Sequence, residues 1–383
     1  MALHFDRAEF DARRDRLMTA MSEKKLDAIL LFAQESMYWL TGYDTFGFCF
    51  FQCLVVKNDG TMVLLTRSAD LRQARHTSTI DNITLWTDRD NANPALDLRN
   101  LLNDLDLLGA RIGVEYDTHG LTAWNGRRLD EQLLSFGEVS DASGIVSRLR
   151  LLKSPAEIEK ARRAAELADD ALDAALPLIK PGGDEGEILA AMQGAVFRGG
   201  GDYPANPFII GSGADALLCR TKAGRRKLGD NDQLTLEWAG VFHNYHAAMM
   251  RTVVVGEPRD RHLELFEAAQ AALLAVEEAM VPGKTFGDVF DAHARAMEAK
   301  GLTRHRLNAC GYSQGARFAP SWMDMPMFYS GNPEPIAPNM TLFAHMIIMD
   351  SESETAMTLG RTYLTTDGAP VSLSRHGLDL IIR

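Results

Sequence analysis

A chain of 383 residues, 46% apolar and 24% charged, has ordinary globular composition and exceeds the usual length of one domain. Its formal net charge of -12 comes without a basic stripe, which argues against nucleic-acid and anionic-membrane binding, because phosphate neutralisation needs clustered Lys and Arg. The opening MALHFDRAEFDARRDRL is charged throughout and reads as neither signal peptide nor membrane span. That predicts cytoplasmic residence, and the four scattered cysteines (Cys49, Cys53, Cys219, Cys310) fit reduced thiols rather than a disulfide scaffold or a zinc knuckle.

The first 150 residues alternate helical and strand patterns. An amphipathic helix is predicted from Phe10 to Lys25, then a strand in DAILLF. FFQCLVVKNDGTMVLLT reads as two β-rich runs around an Asn-Asp-Gly turn, a hairpin signal. RIGVEYD reads as a strand and GLTAWNGRRLDEQLLS as a helix, so residues 1–150 form an α/β domain. A second domain, 151–383, opens on a long helix, with Ser154 as cap, Pro155 at the first helical position and Glu157 closing a capping box. The helix is expected to stop at Pro181-Gly182.

This second domain contains an internal repeat. ELADDALDAALPLIKPGGDEGEILAAM and EAAQAALLAVEEAMVPGKTFGDVFDAH are offset by 101 residues, from Glu166 to Glu267, and share a helix, a Pro-Gly turn and a second helix. Each copy precedes a pair of strands whose second member carries Arg-Thr, at Arg251-Thr252 and Arg361-Thr362. Two such units related by a pseudo-twofold would join their hairpins into one curved antiparallel sheet with helices behind it. The concave face is then the expected site. Glu237 and His345, each on the strand before an Arg-Thr strand, would approach one another there as a candidate acid/base pair.

WLTGYD, GGDYPA, EWAG, YHAAMMRTV and GYSQG, with the repeat, resemble segments of the creatinase and aminopeptidase P (M24) superfamily, over essentially the whole chain and most closely those of ectoine hydrolases. The resemblance implies a creatinase-type N-terminal domain and an α+β pita-bread C-terminal domain. Metallopeptidases of this fold hold two divalent ions with two aspartates, a histidine and two glutamates. Here those positions fall on Glu237, Ala248, Tyr312, His345 and a place near Gly360 or Arg361, and one acidic side chain does not hold a dinuclear site. A mononuclear site from His243, His246 and His345 is disfavoured, because residues three apart in a hairpin point to opposite faces. No metal and no cofactor are therefore expected.

By resemblance to the metal-free members, the expected activity is hydrolysis of a C–N bond in a small zwitterionic nitrogenous solute, by a homodimer. Glu237 would be the nucleophile or base, since a cationic amidinium suits a carboxylate whereas a neutral peptide bond needs a Lewis acid. A purely structural Glu237 would instead pair with Arg251 or Arg361. His345 and His246 complete the candidate catalytic set, and Tyr245, Tyr312 and Arg251 are candidate substrate contacts. Trp39 and Phe46 are further candidates, as cation–π faces or as core residues. Where creatinase and ectoine hydrolase carry a catalytic histidine, GSGADALLCRTKAGRRKL offers Cys219 or Arg220, the latter suited to clamping a substrate carboxylate. Glu352 or Glu354 lies near the place of a late glutamate. A non-catalytic ligand-binding or partner-binding protein, a lyase on an osmolyte and a residual Xaa-Pro peptidase remain the alternatives.

Overall fold

The computed structural model describes residues 3–221 and 224–383. The chain divides between Arg150 and Leu151 into two compact units.

The first unit contains a six-stranded sheet built from β1 (Ala28–Leu31), β2 (Cys53–Lys57), β3 (Met62–Arg67), β4 (Asn82–Trp86), β5 (Arg111–Val114) and β6 (Glu138–Asp141), in the order β4-β3-β2-β1-β5-β6. The β1–β2 and β2–β3 pairs are antiparallel and the outer pairs parallel. Its helices are α1 (Arg7–Glu23), α2 (Gln34–Thr41), α3 (Leu71–Thr77), α4 (Pro94–Asp104), α5 (Ala123–Leu133) and α6 (Gly144–Leu151). α1 starts before the expected Phe10 because Asp6 accepts a hydrogen bond from Glu9 N and caps it there. The β2–β3 hairpin turns at Gly60, whose φ of 86° suits only a residue without Cβ.

In the second unit, α7 (Pro155–Ala175) begins with the expected capping box between Ser154 and Glu157. It ends earlier than expected. Leu176 still has helical backbone, but Pro177 lacks an N–H to continue the ladder, so α7 stops short of Pro181-Gly182. Then come α8 (Glu185–Arg198), β7 (Ile209–Ser212), β8 (Asp232–Phe242) and β9 (Tyr245–Val255). The second half repeats the plan: α9 (Asp260–Ala279), α10 (Phe286–Ala299), β10 (Gly311–Ser313), β11 (Asp324–Met327), β12 (Thr341–Asp350) and β13 (Thr355–Leu364), followed by the short β14 (Val371–Ser372) and β15 (Ile381–Ile382).

One sheet carries both halves, in the order β11-β10-β12-β13-β9-β8-β7, with β14 on β13 and β15 on β9. α7 lies against β8 and β9, and α9 against β12 and β13. Close approach is written into β8: a Cβ on Gly240 would stand 1.9 Å from Ala164 O of α7. Trp238 faces the same helix and donates to Ala168 O at 2.8 Å. Because side chains alternate along a strand, Glu237 and Ala239 face the opposite, concave side.

Candidate active site

Strand register sets the site. Ile209 pairs with Glu237, Glu237 with Met250, Met250 with Gly360, and Gly360 with His345, so five residues on five strands form one row across the concave face. Met250 and Gly360 stand one residue before Arg251 and Arg361, so they are equivalent positions of the two halves. They face each other in the middle of the row, and Glu237 and His345 are equivalents one strand farther out on either side.

Glu237 is buried, and burial pushes its carboxyl up to about 7; the charge of Arg220 and a hydrogen bond from Tyr312 work in the opposite direction. The Tyr312 hydroxyl donates to Glu237 Oε1 at 3.4 Å, and its oxygen accepts from Trp322 Nε1 at 2.9 Å. The Tyr312 ring also lies 5.7 Å from the His345 ring, so the tyrosine on β10 adjoins both Glu237 and His345. Burial, with His293 as a lesser cause, lowers His345 to about 3, so its imidazole is neutral at physiological pH. The site therefore joins a carboxyl balanced between its two protonation states, a phenol donor and a neutral imidazole.

Cys219 and Arg220 both bear on this group. Arg220 is exposed, and its charge acts on Glu237, Tyr312 and His345. The half-buried Cys219 thiol is pushed up by burial and then by the Glu237 charge, which disfavours a thiolate nucleophile.

Other expected residues lie elsewhere. Tyr245 and Arg251 point to the side of β9 opposite Met250, as the period of two requires. The Tyr245 hydroxyl donates to Glu157 Oε1 at 2.7 Å, and Arg251 donates to the carbonyls of Met250, Gly360 and Gly377 at 2.8, 2.6 and 3.3 Å. Arg361 pairs with Glu277 at 2.7 Å, so neither arginine is the partner of Glu237. His246 is on the concave side, but its Nε2 accepts from Ala205 N at 3.0 Å and burial lowers it to about 4. It secures a loop rather than touching Glu237. His243 occupies the two-residue turn between β8 and β9 with φ of 50° and stacks on Phe242, while Glu352 and Glu354 belong to the turn between β12 and β13. In the first unit, Trp39 is wholly buried among core residues and offers no open aromatic face, whereas Phe46 is 83% exposed.

Trp322 and Asn206 were not anticipated. Asn206 Oδ1 accepts from Trp322 N at 3.1 Å, and the His246 ring lies 6.4 Å from the Trp322 ring. Both residues come from irregular, proline-containing segments (YPANPF and APSWMDMP), where no periodicity assigns a facing direction.

The donor set does not fit a pair of divalent ions. Along the row Glu237 is the only carboxylate, its neighbours being Ile209, Met250, Gly360 and the imidazole of His345. The strand positions beside it carry Ala248 and Tyr312. Among the described residues, no group of three or more His, Cys, Asp and Glu side chains is arranged to hold a metal ion.

Residues 159–367 match the model of metallopeptidase family M24, and residues 13–152 match the creatinase/prolidase N-terminal domain. The chain belongs to family M24. The M24 relatives include the ectoine hydrolase of Halomonas elongata, 29% identical over 89% of each chain. Among solved structures, the prolidase of Thermococcus sibiricus superposes with a TM-score of 0.87 at 16% identity, covering 98% of this chain and 99% of that one. The Xaa-Pro dipeptidase of Bacillus anthracis gives a TM-score of 0.84 at 20% identity over 98% and 100%. The architecture is thus a creatinase-type N-terminal domain followed by a pita-bread domain, as the resemblance implied. Among the described residues, no helix of this M24 chain is long and apolar enough to cross a membrane.

Proposed function

We propose that this M24 protein is a metal-independent hydrolase that cleaves a C–N bond in a small, charged nitrogenous solute, with Glu237 as the reacting carboxylate. The observation that carries this reading is the row itself: one buried carboxyl, held near pH 7, contacted by a phenol donor and lacking the carboxylate neighbours that two cations need. A carboxyl tuned to neutrality suits a base at physiological pH, and once ionised it also attracts an amidinium carbon. The ectoine hydrolase relative supports a substrate of that kind.

As a base, Glu237 would take a proton from water while the water oxygen bonds to the substrate carbon; as a nucleophile, Oε1 or Oε2 would form that bond and water would later displace it. In both cases the C–N bond breaks as the leaving nitrogen gains a proton. In the base route that proton is the one Glu237 took from water; Tyr312 holds the carboxylate by its hydrogen bond, and the neutral imidazole of His345 can hydrogen-bond the substrate without itself being protonated. Arg220 supplies the cation for a substrate carboxylate.

The test is mass-spectrometric. Protein is incubated with ectoine, hydroxyectoine, creatine and related cyclic amidines or betaines, and both product and protein masses are followed. The expected result is a product at the mass of substrate plus water or of its hydrolysis fragments, lost in Glu237→Gln. Ligand binding without turnover in the wild type, unaffected by Glu237→Gln, would favour a binding protein instead.

A further inference from the structure

We propose that Trp322 is a positioning residue for this site: its indole N–H holds the Tyr312 hydroxyl with the proton turned to Glu237, and so couples the carboxylate to the loop carrying Ala205 and Asn206. This rests on Glu237 being the reacting carboxylate.

The direction of the chain of hydrogen bonds follows from chemistry. An indole Nε1–H only donates, so the Tyr312 oxygen, 2.9 Å away, must accept. The single phenol proton is then free for the other neighbour, Glu237 Oε1 at 3.4 Å. All three side chains are buried, Trp322 to 1% and Tyr312 to 2% exposure, so bulk water does not compete for these groups. Without the indole, the phenol oxygen loses its donor and its proton is no longer confined to one direction.

Trp322 is itself gripped. Its backbone N–H donates to Asn206 Oδ1 at 3.1 Å, its ring lies 6.4 Å from that of His246, and His246 Nε2 accepts from the neighbouring Ala205 N at 3.0 Å. Two consecutive loop residues thus bear on Trp322, Asn206 at its backbone N–H and Ala205 through the imidazole of His246 beside its ring. The Tyr312–Glu237 contact is long for an O–H···O bond, so a shift of a few tenths of an ångström in Trp322 tightens or releases it. Movement of this loop on ligand entry would reset the carboxylate through one phenol.

The experiment needs no substrate, so it stands apart from any failure to find turnover. The five tryptophan indole resonances are followed by 15N NMR from pH 5 to 9, Trp322 being assigned with Trp322→Phe, alongside 13C-labelled glutamate carboxyls with Glu237 assigned by Glu237→Gln. The expected result is that the Trp322 indole resonance moves with the midpoint of the Glu237 carboxyl, and that Glu237→Gln and Tyr312→Phe each abolish the movement. Trp322→Phe should raise the Glu237 midpoint by about half a pH unit, roughly threefold in proton affinity, and add nothing in a Tyr312→Phe background. A Trp322 resonance that stays flat while the carboxyl titrates overturns the proposal. So does a Trp322→Phe shift that persists without the phenol. If Trp322→Phe does not fold, the resonances are assigned by elimination using conservative changes at the other tryptophans, and the wild-type and Tyr312→Phe titrations decide.

Discussion

Met250 and Gly360 are equivalent residues of the two halves of the pita-bread domain and are also register partners at the centre of its sheet. The pseudo-twofold therefore passes between them, and the space above Gly360 belongs to the site. A Cβ there would stand 2.9 Å from Ala344 O, 3.0 Å from Phe343 Cζ and 3.1 Å from His345 Cβ. Gly360→Val is expected to cost about 1–3 kcal/mol of stability through overpacking. Denaturant unfolding checks the cost, and a change in the His345 ring resonances checks its location.

The ionisation of Glu237 sets an activity limb. Because the carboxyl lies near 7 and must be ionised to act, kcat/KM is expected to rise with pH through about 7. Tyr312→Phe removes a hydrogen bond that favours the anion, so the limb should move to higher pH. Glu237→Gln should lose about 10²–10⁴-fold in kcat with its fold intact. A pH-independent rate between pH 6 and 8 would count against this assignment.

Stability should fall on acidification. Burial lowers His345 to about 3 and His246, His262 and His293 to about 4, against 6.5 unfolded. Below pH 6.5 the unfolded chain takes up protons that these four refuse, which favours unfolding until the folded values are reached. Glu237 and Glu115, both raised to about 7 by burial from 4.5, act in the opposite sense: the folded chain keeps their protons, so their ionisation erodes stability as pH rises from 4.5 to 7. Four groups outweigh two. Urea midpoints at pH 7.5 and 5.0 test this, with the lower midpoint expected at pH 5.0 and a smaller difference in His345→Gln.

Arg251 separates fold from chemistry. Its guanidinium, lowered to about 10 chiefly by burial, ties the carbonyls of Met250 and Gly360 across the centre of the sheet and reaches Gly377. Arg251→Met is expected to cost on the order of 1–3 kcal/mol for each carbonyl left unpaired. The residual folded protein should keep the pH limb of Glu237. Movement of that limb would place Arg251 in the site's electrostatics after all.

The sequence made the repeat legible because a Pro-Gly turn between two helices has to recur wherever the unit recurs: Gly182 and Gly283 have φ of 77° and 90°. From that repeat, the equivalence of Glu237 and His345 follows by strand order alone. What escaped was facing direction. Tyr245, His246 and Arg251 sit in one unbroken apolar strand, and with both faces of β9 buried no polar alternation marks which side is concave. Trp322 escaped for a different reason, since its place depends on the path of an irregular connection between β10 and β11. Trp39 stayed open between pocket and core because an aromatic in a helix looks alike from sequence whichever it does.

The most direct test of the central claim measures metal content and turnover together. Protein is stripped with chelator, its divalent ions are counted by plasma mass spectrometry, and hydrolysis of the substrate found in the panel is followed with and without added Mn²⁺, Zn²⁺ or Co²⁺. Far less than one ion per chain, full activity after stripping and a kcat lower by about 10²–10⁴-fold in Glu237→Gln are expected. Activity that disappears on stripping and returns with a stoichiometric ion would contradict the claim.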